Sequence, residues 1–150
     1  MTDRKSTKHL VLHCSATRPA MDVGAADIRR WHQAQGWRDI GYHYVIRRNG
    51  RVEKGRSEQS VGAHVARYNS ASLGICLVGG VKQNDFTVPE DNFTPEQWAA
   101  LRELLAVLVR KYPSAKVIGH RDFPGINKAC PSFDARDWAR KNGFPVGEVK

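Results

Sequence analysis

The sequence predicts an α/β fold in which a central mixed β-sheet is flanked by about three helices in a single domain. Short apolar runs typical of buried strands alternate with longer segments whose apolar residues recur every three or four positions. One strand pair is separated only by an Asn-Gly turn, so antiparallel pairing must accompany any parallel strands. With 150 residues, 41% of them hydrophobic, the chain can bury one substantial core, and we expect residues 1–150 to form one domain.

The strands are predicted from five runs. These are residues 10–13, 42–48, 51–53, 73–78 and 116–119. Residues 73–78 are apolar on both faces and end at two glycines, which is typical of a central strand. Residues 42–48 alternate between apolar and polar side chains and reach Asn49-Gly50, the favoured pair for a two-residue turn, so we expect a hairpin there.

Three helices are predicted from capping residues and apolar spacing. The first covers residues 24–35, with Asp22 as its cap and with Ile28 and Trp31 facing the core. The second starts at Thr94-Pro95, where Thr94 caps and Gln97 completes a capping box. Its apolar stripe is formed by Trp98, Leu101, Leu105, Leu108 and Tyr112, and Pro113 ends it. The third begins near Asp134, packs Trp138 and ends at Asn142-Gly143.

The charge of the chain favours polyanionic partners. Lys and Arg number 24 against 15 Asp and Glu, a net charge of +9. Such an excess favours binding to nucleic acid or to an anionic polymer such as a bacterial cell wall. A basic surface that is only solvated, without a dedicated partner, is an equally good interpretation. The basic residues are scattered, and no RNA-binding signature or DNA-reading motif accompanies them, so we expect no specific nucleic-acid partner.

The N-terminal segment and the cysteines indicate the cellular compartment in which the protein is expected. The polar start is followed by no apolar signal segment, and no run approaches the roughly 18 apolar residues that a membrane span needs. Three cysteines are an odd number, which favours reduced thiols. We expect a cytoplasmic monomer without a membrane segment and with a short disordered lead over residues 1–7.

Three residues far apart in sequence suggest a zinc site. His13 ends a strand-like run, His120 follows another, and Cys130 lies in a loop before Pro131. Two strand ends and a nearby loop can converge at one edge of a sheet. Two imidazoles and a thiolate suit a catalytic zinc ion with its fourth position open for water. The sequence therefore predicts a metal hydrolase with His13, His120 and Cys130 as ligands.

The other cysteines fit this site less well. Cys14 directly follows His13, so on a strand it points to the opposite face and cannot share the metal. Cys76 lies inside the apolar run of residues 73–78, where a free cysteine behaves as a small core residue. No His-Glu-x-x-His pattern occurs in the sequence, which excludes a helix-borne zinc protease site.

Six blocks, spread from about His9 to Trp138, resemble the zinc-dependent N-acetylmuramoyl-L-alanine amidases, the family that includes the peptidoglycan recognition proteins. Within it the chain resembles the small lysozymes of the T-odd coliphages, which are amidases and act as endolysins. The blocks are residues 13–17 (His-Cys-Ser-Ala-Thr), 36–43, 61–64 (Val-Gly-Ala-His), 74–80, 93–95 (Phe-Thr-Pro) and 128–134 (Lys-Ala-Cys-Pro-Ser-Phe-Asp). Several blocks in one order are far more specific than any single motif.

The resemblance implies an activity and a set of roles. The enzyme would hydrolyse the amide between the muramoyl lactyl group and L-alanine of peptidoglycan, with one zinc ion on His13, His120 and Cys130. Tyr42 falls on the family's catalytic tyrosine and Lys128 on its catalytic lysine, while His64 matches a histidine lining the cleft. Lys128 would stabilise the oxyanion, and Tyr42 would either orient the attacking water or pass a proton to the leaving amine.

The resemblance also implies a setting for the enzyme and leaves two alternatives to consider. An endolysin is made in the host cytoplasm and reaches the wall after release through another protein such as a holin. One alternative is a peptidoglycan recognition module that binds without cutting; such relatives lose the cysteine ligand, whereas Cys130 is present here. The other is a phage RNA polymerase as partner, which the coliphage relatives bind and inhibit.

The loop between His120 and Lys128 is two residues longer than in those relatives, so we expect a different cleft rim.

Overall fold

Five strands form one mixed sheet in the computed structural model, which describes residues 2–149. The strands lie in the order β3-β2-β4-β1-β5; the β2-β4, β4-β1 and β1-β5 pairs are parallel, and the β2-β3 pair is antiparallel. In chain order the elements are β1 (His9–Cys14), α1 (Ala25–Ala34), β2 (Tyr44–Ile46), β3 (Val52–Lys54), β4 (Ser72–Leu77), α2 (Pro95–Lys111), β5 (Lys116–Gly119) and α3 (Ala135–Lys141). The predicted mixed sheet with three helices is confirmed.

The alternation of side chains along the central strands gives the sheet two different faces. Leu10 and Leu12 of β1 point to one face, which we call the packing face, where α2 and α3 cover them with Leu101, Leu105 and other apolar side chains. Val11 and His13 point to the opposite face, which we call the cleft face and which α1 covers in part. The core therefore lies mainly between the sheet and the α2–α3 pair.

Helices α2 and α3 begin at the caps that the sequence predicts. The Thr94 hydroxyl accepts a hydrogen bond from the Gln97 backbone N–H at 3.1 Å, and the Gln97 side chain accepts one from the Thr94 N–H at 2.9 Å. The Asp134 carboxylate accepts the Asp137 N–H at 3.0 Å. Trp138 of α3 stacks on Trp98 of α2, with ring centroids 5.6 Å apart. These contacts join the two helices over the packing face.

Helix α1 differs from the prediction at its cap and at one core position. Gly24 is the cap, and its N–H donates to the Asp27 carboxylate at 2.9 Å. Asp22 instead pairs with the Arg47 guanidinium at 2.8 Å, so it was wrongly predicted as the cap. Trp31 is 40% exposed and does not face the core, because only the narrow side of α1 that carries Ala25 and Ile28 touches the sheet.

The hairpin forms as predicted, but its loop is one residue longer than a two-residue Asn-Gly turn. The Arg47 N–H donates to the Arg51 carbonyl at 2.9 Å, which leaves three residues in the loop. Gly50 has a φ of +87°, and its N–H donates to the Arg47 carbonyl at 2.8 Å. A glycine in the left-handed region at the third loop position is the usual form of a three-residue hairpin loop.

The lead, predicted to be disordered over residues 1–7, is hydrogen-bonded to the body of the protein where the structure describes it. The Thr2 carbonyl accepts the Val61 N–H at 2.8 Å, and the Arg4 N–H donates to the Gln59 carbonyl at 2.6 Å. Disorder was predicted from the polar composition of the lead. Composition does not show that its backbone has hydrogen-bond partners as distant as Gln59 and Val61. Over residues 2–149, none of the helices has the length and apolar character to cross a membrane.

Candidate metal centre and cleft

The sheet register brings His13 and His120 together. Strands β1 and β5 are neighbours and parallel, and Leu12 pairs with Gly119, so the next residue of each chain segment is a histidine at the same edge of the sheet. The two imidazole rings have centroids 4.7 Å apart. Cys130 comes from the loop that follows, which lies over the end of β1. The predicted convergence of two strand ends and a loop is what the structure shows.

The three side chains are close enough to share a metal ion. One ligand atom from each of His13, His120 and Cys130 lies within 4.8 Å of the others, and His13 Nδ1 is 3.8 Å from Cys130 Sγ. For comparison, ordinary zinc–nitrogen and zinc–sulfur bond lengths at a tetrahedral angle separate the two ligand atoms by about 3.6 Å. Within residues 2–149 this is the one His, Cys, Asp or Glu cluster with such spacing. The donor set fits zinc.

Cys130 receives a hydrogen bond from the strand that carries His13. The Cys14 N–H donates to Cys130 Sγ at 3.3 Å, an interaction that favours a thiolate. The Cys14 thiol and burial act the other way and raise the pKa of the Cys130 thiol. Metal binding must therefore displace a proton from Cys130. The Cys14 thiol itself lies on the packing face, 3.6 Å from the Ser132 hydroxyl, and is outside the donor set, as the sequence predicts.

His13 and His120 both favour the neutral form. Burial lowers the pKa of His13 and of His120, and the positive charge of Lys128 lowers both further. A neutral imidazole keeps a lone pair for a metal ion, whereas an imidazolium has none.

Tyr42 and Lys128 both lie next to this cluster. The Tyr42 ring is 5.0 Å from the His13 ring, and burial raises the pKa of its phenol well above the ordinary value. The hydroxyl is therefore protonated at neutral pH and available as a donor. Lys128 is exposed and lines a groove together with His120. His32 accepts the Gly41 N–H at 2.9 Å and packs beside Tyr42.

The groove next to the metal site has a volume of about 310 Å³. Its walls are largely apolar and include Trp37, Val65 and Ile126 together with Lys128. Trp37 is 39% exposed, and its contribution to the groove was missed at the sequence level although it lies in a matched block. A larger cavity of about 610 Å³, lined by Trp98 and Trp138 among others, lies on the packing side and has no His or Cys in its wall.

His64 lies in the wall of the groove and is 8% exposed. Its Nδ1 is 2.9 Å from His13 Nε2. This contact was missed from the sequence, where 51 residues separate the two histidines. Cys76 is fully buried among apolar side chains, as predicted.

The comparisons with known proteins agree with this geometry. Residues 3–133 match the family model described as N-acetylmuramoyl-L-alanine amidase. The chain belongs to this amidase family. It is 51% identical to an endolysin of Klebsiella phage KP32 over 141 residues, which cover 94% of this chain and 91% of the relative. It is 48% identical to the endolysin of Escherichia phage T7 over 139 residues, or 93% and 89% of the two chains.

A solved structure of the same family supports the fold. The N-acetylmuramoyl-L-alanine amidase LysC from Clostridium intestinale URNW superposes with a TM-score of 0.77 at 26% identity, covering 95% of this chain and 87% of that one. The chain is thus a peptidoglycan-degrading amidase of the phage endolysin type. The identification of the family from the six sequence blocks is confirmed.

Proposed function

We propose that this amidase uses one zinc ion, held by His13, His120 and Cys130, to hydrolyse the amide between the muramoyl lactyl group and L-alanine of peptidoglycan. The observation that carries the proposal is the clustering of two imidazoles and one thiolate within 4.8 Å beside an open groove. Three protein ligands with a free fourth position are typical of catalytic zinc sites, whereas structural sites have four. When bound there, zinc supplies a Lewis acid that activates water and polarises a carbonyl.

Lys128 is the residue best placed to stabilise negative charge on the scissile carbonyl oxygen. Lys128 lines the groove together with His120, and its positive charge lowers the pKa of both His13 and His120. Amide hydrolysis passes through a tetrahedral intermediate whose oxygen carries a full negative charge, and a fixed cation stabilises that charge more than it stabilises the ground state. The ammonium is therefore the oxyanion partner in this mechanism.

Tyr42 acts as a hydrogen-bond donor. Because burial raises the pKa of its phenol, the hydroxyl keeps its proton at neutral pH and does not serve as a general base. A donor at this position, with the ring packed between His13 and His32, can orient a reacting oxygen or deliver a proton to the departing amine. Replacement by Phe removes the donor and keeps the ring, so Tyr42→Phe separates this role from packing.

The groove and the charge of the protein fit a wall polymer. Apolar walls with a few polar groups suit a short peptide attached to a sugar, since the peptide backbone and the small alanine side chain need both kinds of contact. The net charge of +9 attracts an anionic wall and raises the encounter rate. Binding of a phage RNA polymerase, the monomeric state and release through a holin stay predictions, to be tested by pull-down, by light scattering and by co-expression.

The decisive test is the chemistry of the products. Purified cell wall is digested with the protein in the presence of zinc and, separately, of a chelator, and new L-alanine amino groups and new reducing sugar ends are both measured. The proposal predicts new amines and no new reducing ends, and no release with the chelator. New reducing ends would show a glycosidase, and full release in the chelator would remove the metal from the mechanism.

A further inference from the structure

A row of hydrogen bonds runs from His13 into the interior of the protein, away from the groove. His13 Nε2 is 2.9 Å from His64 Nδ1, and His64 Nε2 is 3.3 Å from the Ser72 hydroxyl. The Ser72 hydroxyl is 2.8 Å from the Tyr68 carbonyl oxygen. The other nitrogen of His13, Nδ1, is 3.8 Å from Cys130 Sγ. One nitrogen of His13 therefore belongs to the row and the other faces the metal site.

The inner end of the row fixes the direction of every hydrogen bond in it. A carbonyl oxygen only accepts, so the Ser72 hydroxyl donates to Tyr68, and its oxygen is left to accept from His64 Nε2–H. A neutral imidazole carries one N–H, so His64 Nδ1 is unprotonated and accepts from His13 Nε2–H. The opposite direction would leave two acceptors, Tyr68 O and Ser72 Oγ, facing each other at 2.8 Å without a proton between them.

One proton on each ring is enough to form every hydrogen bond of the row, because each ring then has one donor and one acceptor. The positions of the residues in the row are also fixed. Ser72 is fully buried, and a Cβ on Gly74 would lie 2.6 Å from Cγ of His64, so the ring packs directly on the strand backbone. The His64 N–H donates to the Asn69 side chain at 2.9 Å, which anchors the loop.

We propose that Ser72 and His64 are positioning residues that hold His13 in its Nε2-protonated tautomer and so present the Nδ1 lone pair to the metal. The inference rests on the proposed role of His13 as a zinc ligand and adds two residues that do not touch the metal. Partners that fix the tautomer of a ligand histidine typically contribute 10- to 100-fold to metal affinity. Without the row, the His13 proton can move to Nδ1, where it competes with the metal.

The first test reads the tautomer directly in the metal-free protein. Long-range ¹H–¹⁵N spectra of the ¹⁵N-histidine-labelled wild type distinguish protonated from unprotonated ring nitrogens. We expect the proton on Nε2 of both His13 and His64. A proton on Nδ1 of His13 would overturn the proposal. In Ser72→Ala, where His64 Nε2 has lost its acceptor, we expect the Nδ1-protonated form of His13 to become detectable.

The second test measures the zinc dissociation constant by competition with a chromophoric chelator. We expect His64→Leu to weaken zinc binding by roughly 10- to 100-fold. His64→Asn is expected to restore most of the affinity, because the Asn amide oxygen can accept the His13 Nε2–H. Equal zinc affinities for His64→Leu and the wild type, or for His64→Leu and His64→Asn, would overturn the proposal.

His43→Leu is the matched control. His43 is as deeply buried as His64, but its Nδ1 accepts the Gly74 N–H at 3.0 Å and its Nε2 donates to the Ser60 carbonyl at 2.8 Å. Its loss is expected to lower stability and to leave zinc affinity close to that of the wild type.

Failure of the proposed function would give a different result: zinc binds with the expected tautomer, yet no amine is released from cell wall. Zinc-dependent hydrolysis with the His13 proton on Nδ1 would overturn the tautomer proposal alone.

Discussion

The two faces of the central sheet differ in what their side chains do, although the same strands supply both. On the packing face, Leu10, Leu12, Leu73 and Ile75 are fully buried against α2 and α3. On the cleft face, the neighbouring positions of the same strands hold His13, a proposed zinc ligand, and Gly74, whose lack of a side chain gives His64 its space. Because successive side chains of a strand point to opposite faces, neighbouring residues of one strand serve the packing of the core and the metal site in turn.

One buried polar ring of the cleft face has both of its nitrogens satisfied. His43 is 1% exposed, yet both of its ring nitrogens bond to backbone groups, of Gly74 and Ser60. A buried polar group without a partner costs about 1–3 kcal/mol, so these two hydrogen bonds contribute to the stability of this face. The difference between the faces predicts that cleft-face variants lose metal or turnover and that packing-face variants lose stability.

The largest expected effect is on zinc. We expect each of three variants, His13→Ala, His120→Ala and Cys130→Ala, to abolish stoichiometric zinc binding and lysis. The two protein ligands that remain in each variant do not hold the ion tightly enough. Metal analysis of the purified variants measures this. Cys76→Ala is the matched control, since it removes a fully buried thiol from the same face outside the donor set. Full zinc in Cys130→Ala would remove that residue from the ligands.

A packing-face variant is expected to show the opposite pattern. Leu105→Ala removes a fully buried side chain under α2 and is expected to lower the free energy of unfolding by about 2–5 kcal/mol. Zinc content of the folded fraction is expected to stay at one per chain. Urea unfolding measures the first and metal analysis the second. Val107→Ala, on the same helix but 57% exposed, is expected to change stability by no more than about 0.5 kcal/mol.

Lys128→Ala is expected to separate turnover from metal binding. Loss of one oxyanion partner typically lowers turnover by roughly 10²- to 10³-fold, whereas zinc content and wall binding stay unchanged because Lys128 is not a ligand. Steady-state hydrolysis of a soluble muropeptide measures the rate. Lys116→Ala, an exposed lysine at the far end of β5, serves as control. Near-normal turnover in Lys128→Ala would refute the role.

A smaller effect, dependent on pH, is expected from Glu58, which joins the packing side to the N-terminal segment. Burial alone would raise the pKa of Glu58, but hydrogen bonds from Tyr112, Tyr44 and Lys111 outweigh it and lower the pKa to about 2, from 4.5. A depressed carboxyl pKa contributes stability above pH 4.5, and this contribution disappears as the pH falls towards 2. At neutral pH we expect Glu58→Gln to be less stable by about 2–3 kcal/mol.

Urea unfolding of the wild type and of Glu58→Gln as a function of pH measures this contribution. The difference in unfolding free energy between the two proteins is expected to be constant above about pH 5 and to shrink between about pH 5 and 2. Zinc content at neutral pH is expected to be the same in both, because Glu58 lies outside the metal site. A difference in stability that does not change with pH would show that the charge of Glu58 is not its cause.

Features set by neighbouring residues were predictable from the sequence. The capping box of α2 needs only Thr94 and Gln97, and the central strand needs only its uninterrupted apolar run. The metal site could also be predicted, because two histidines that each follow a strand lie close together once the two strands are parallel neighbours. The family resemblance added Tyr42 and Lys128, which periodicity alone would have assigned to packing and to a solvated loop.

Features set by distant partners were not predictable. The cap of α1 depends on Asp27 while Asp22 is drawn to Arg47, and the lead is placed by the backbone of Gln59 and Val61. The row behind His13 needs a serine that begins β4 and a histidine from a loop. No local pattern records such pairs, because the contacts arise only after the sheet has brought the segments together.

The central claim, that one metal ion on the cleft face carries the hydrolysis, is tested most directly by adding zinc back to the metal-free protein while amine release from cell wall is followed. The account predicts no activity without metal, a linear rise with added zinc, and a break at one zinc per chain. Full activity without metal, or a break at any other ratio, would contradict it.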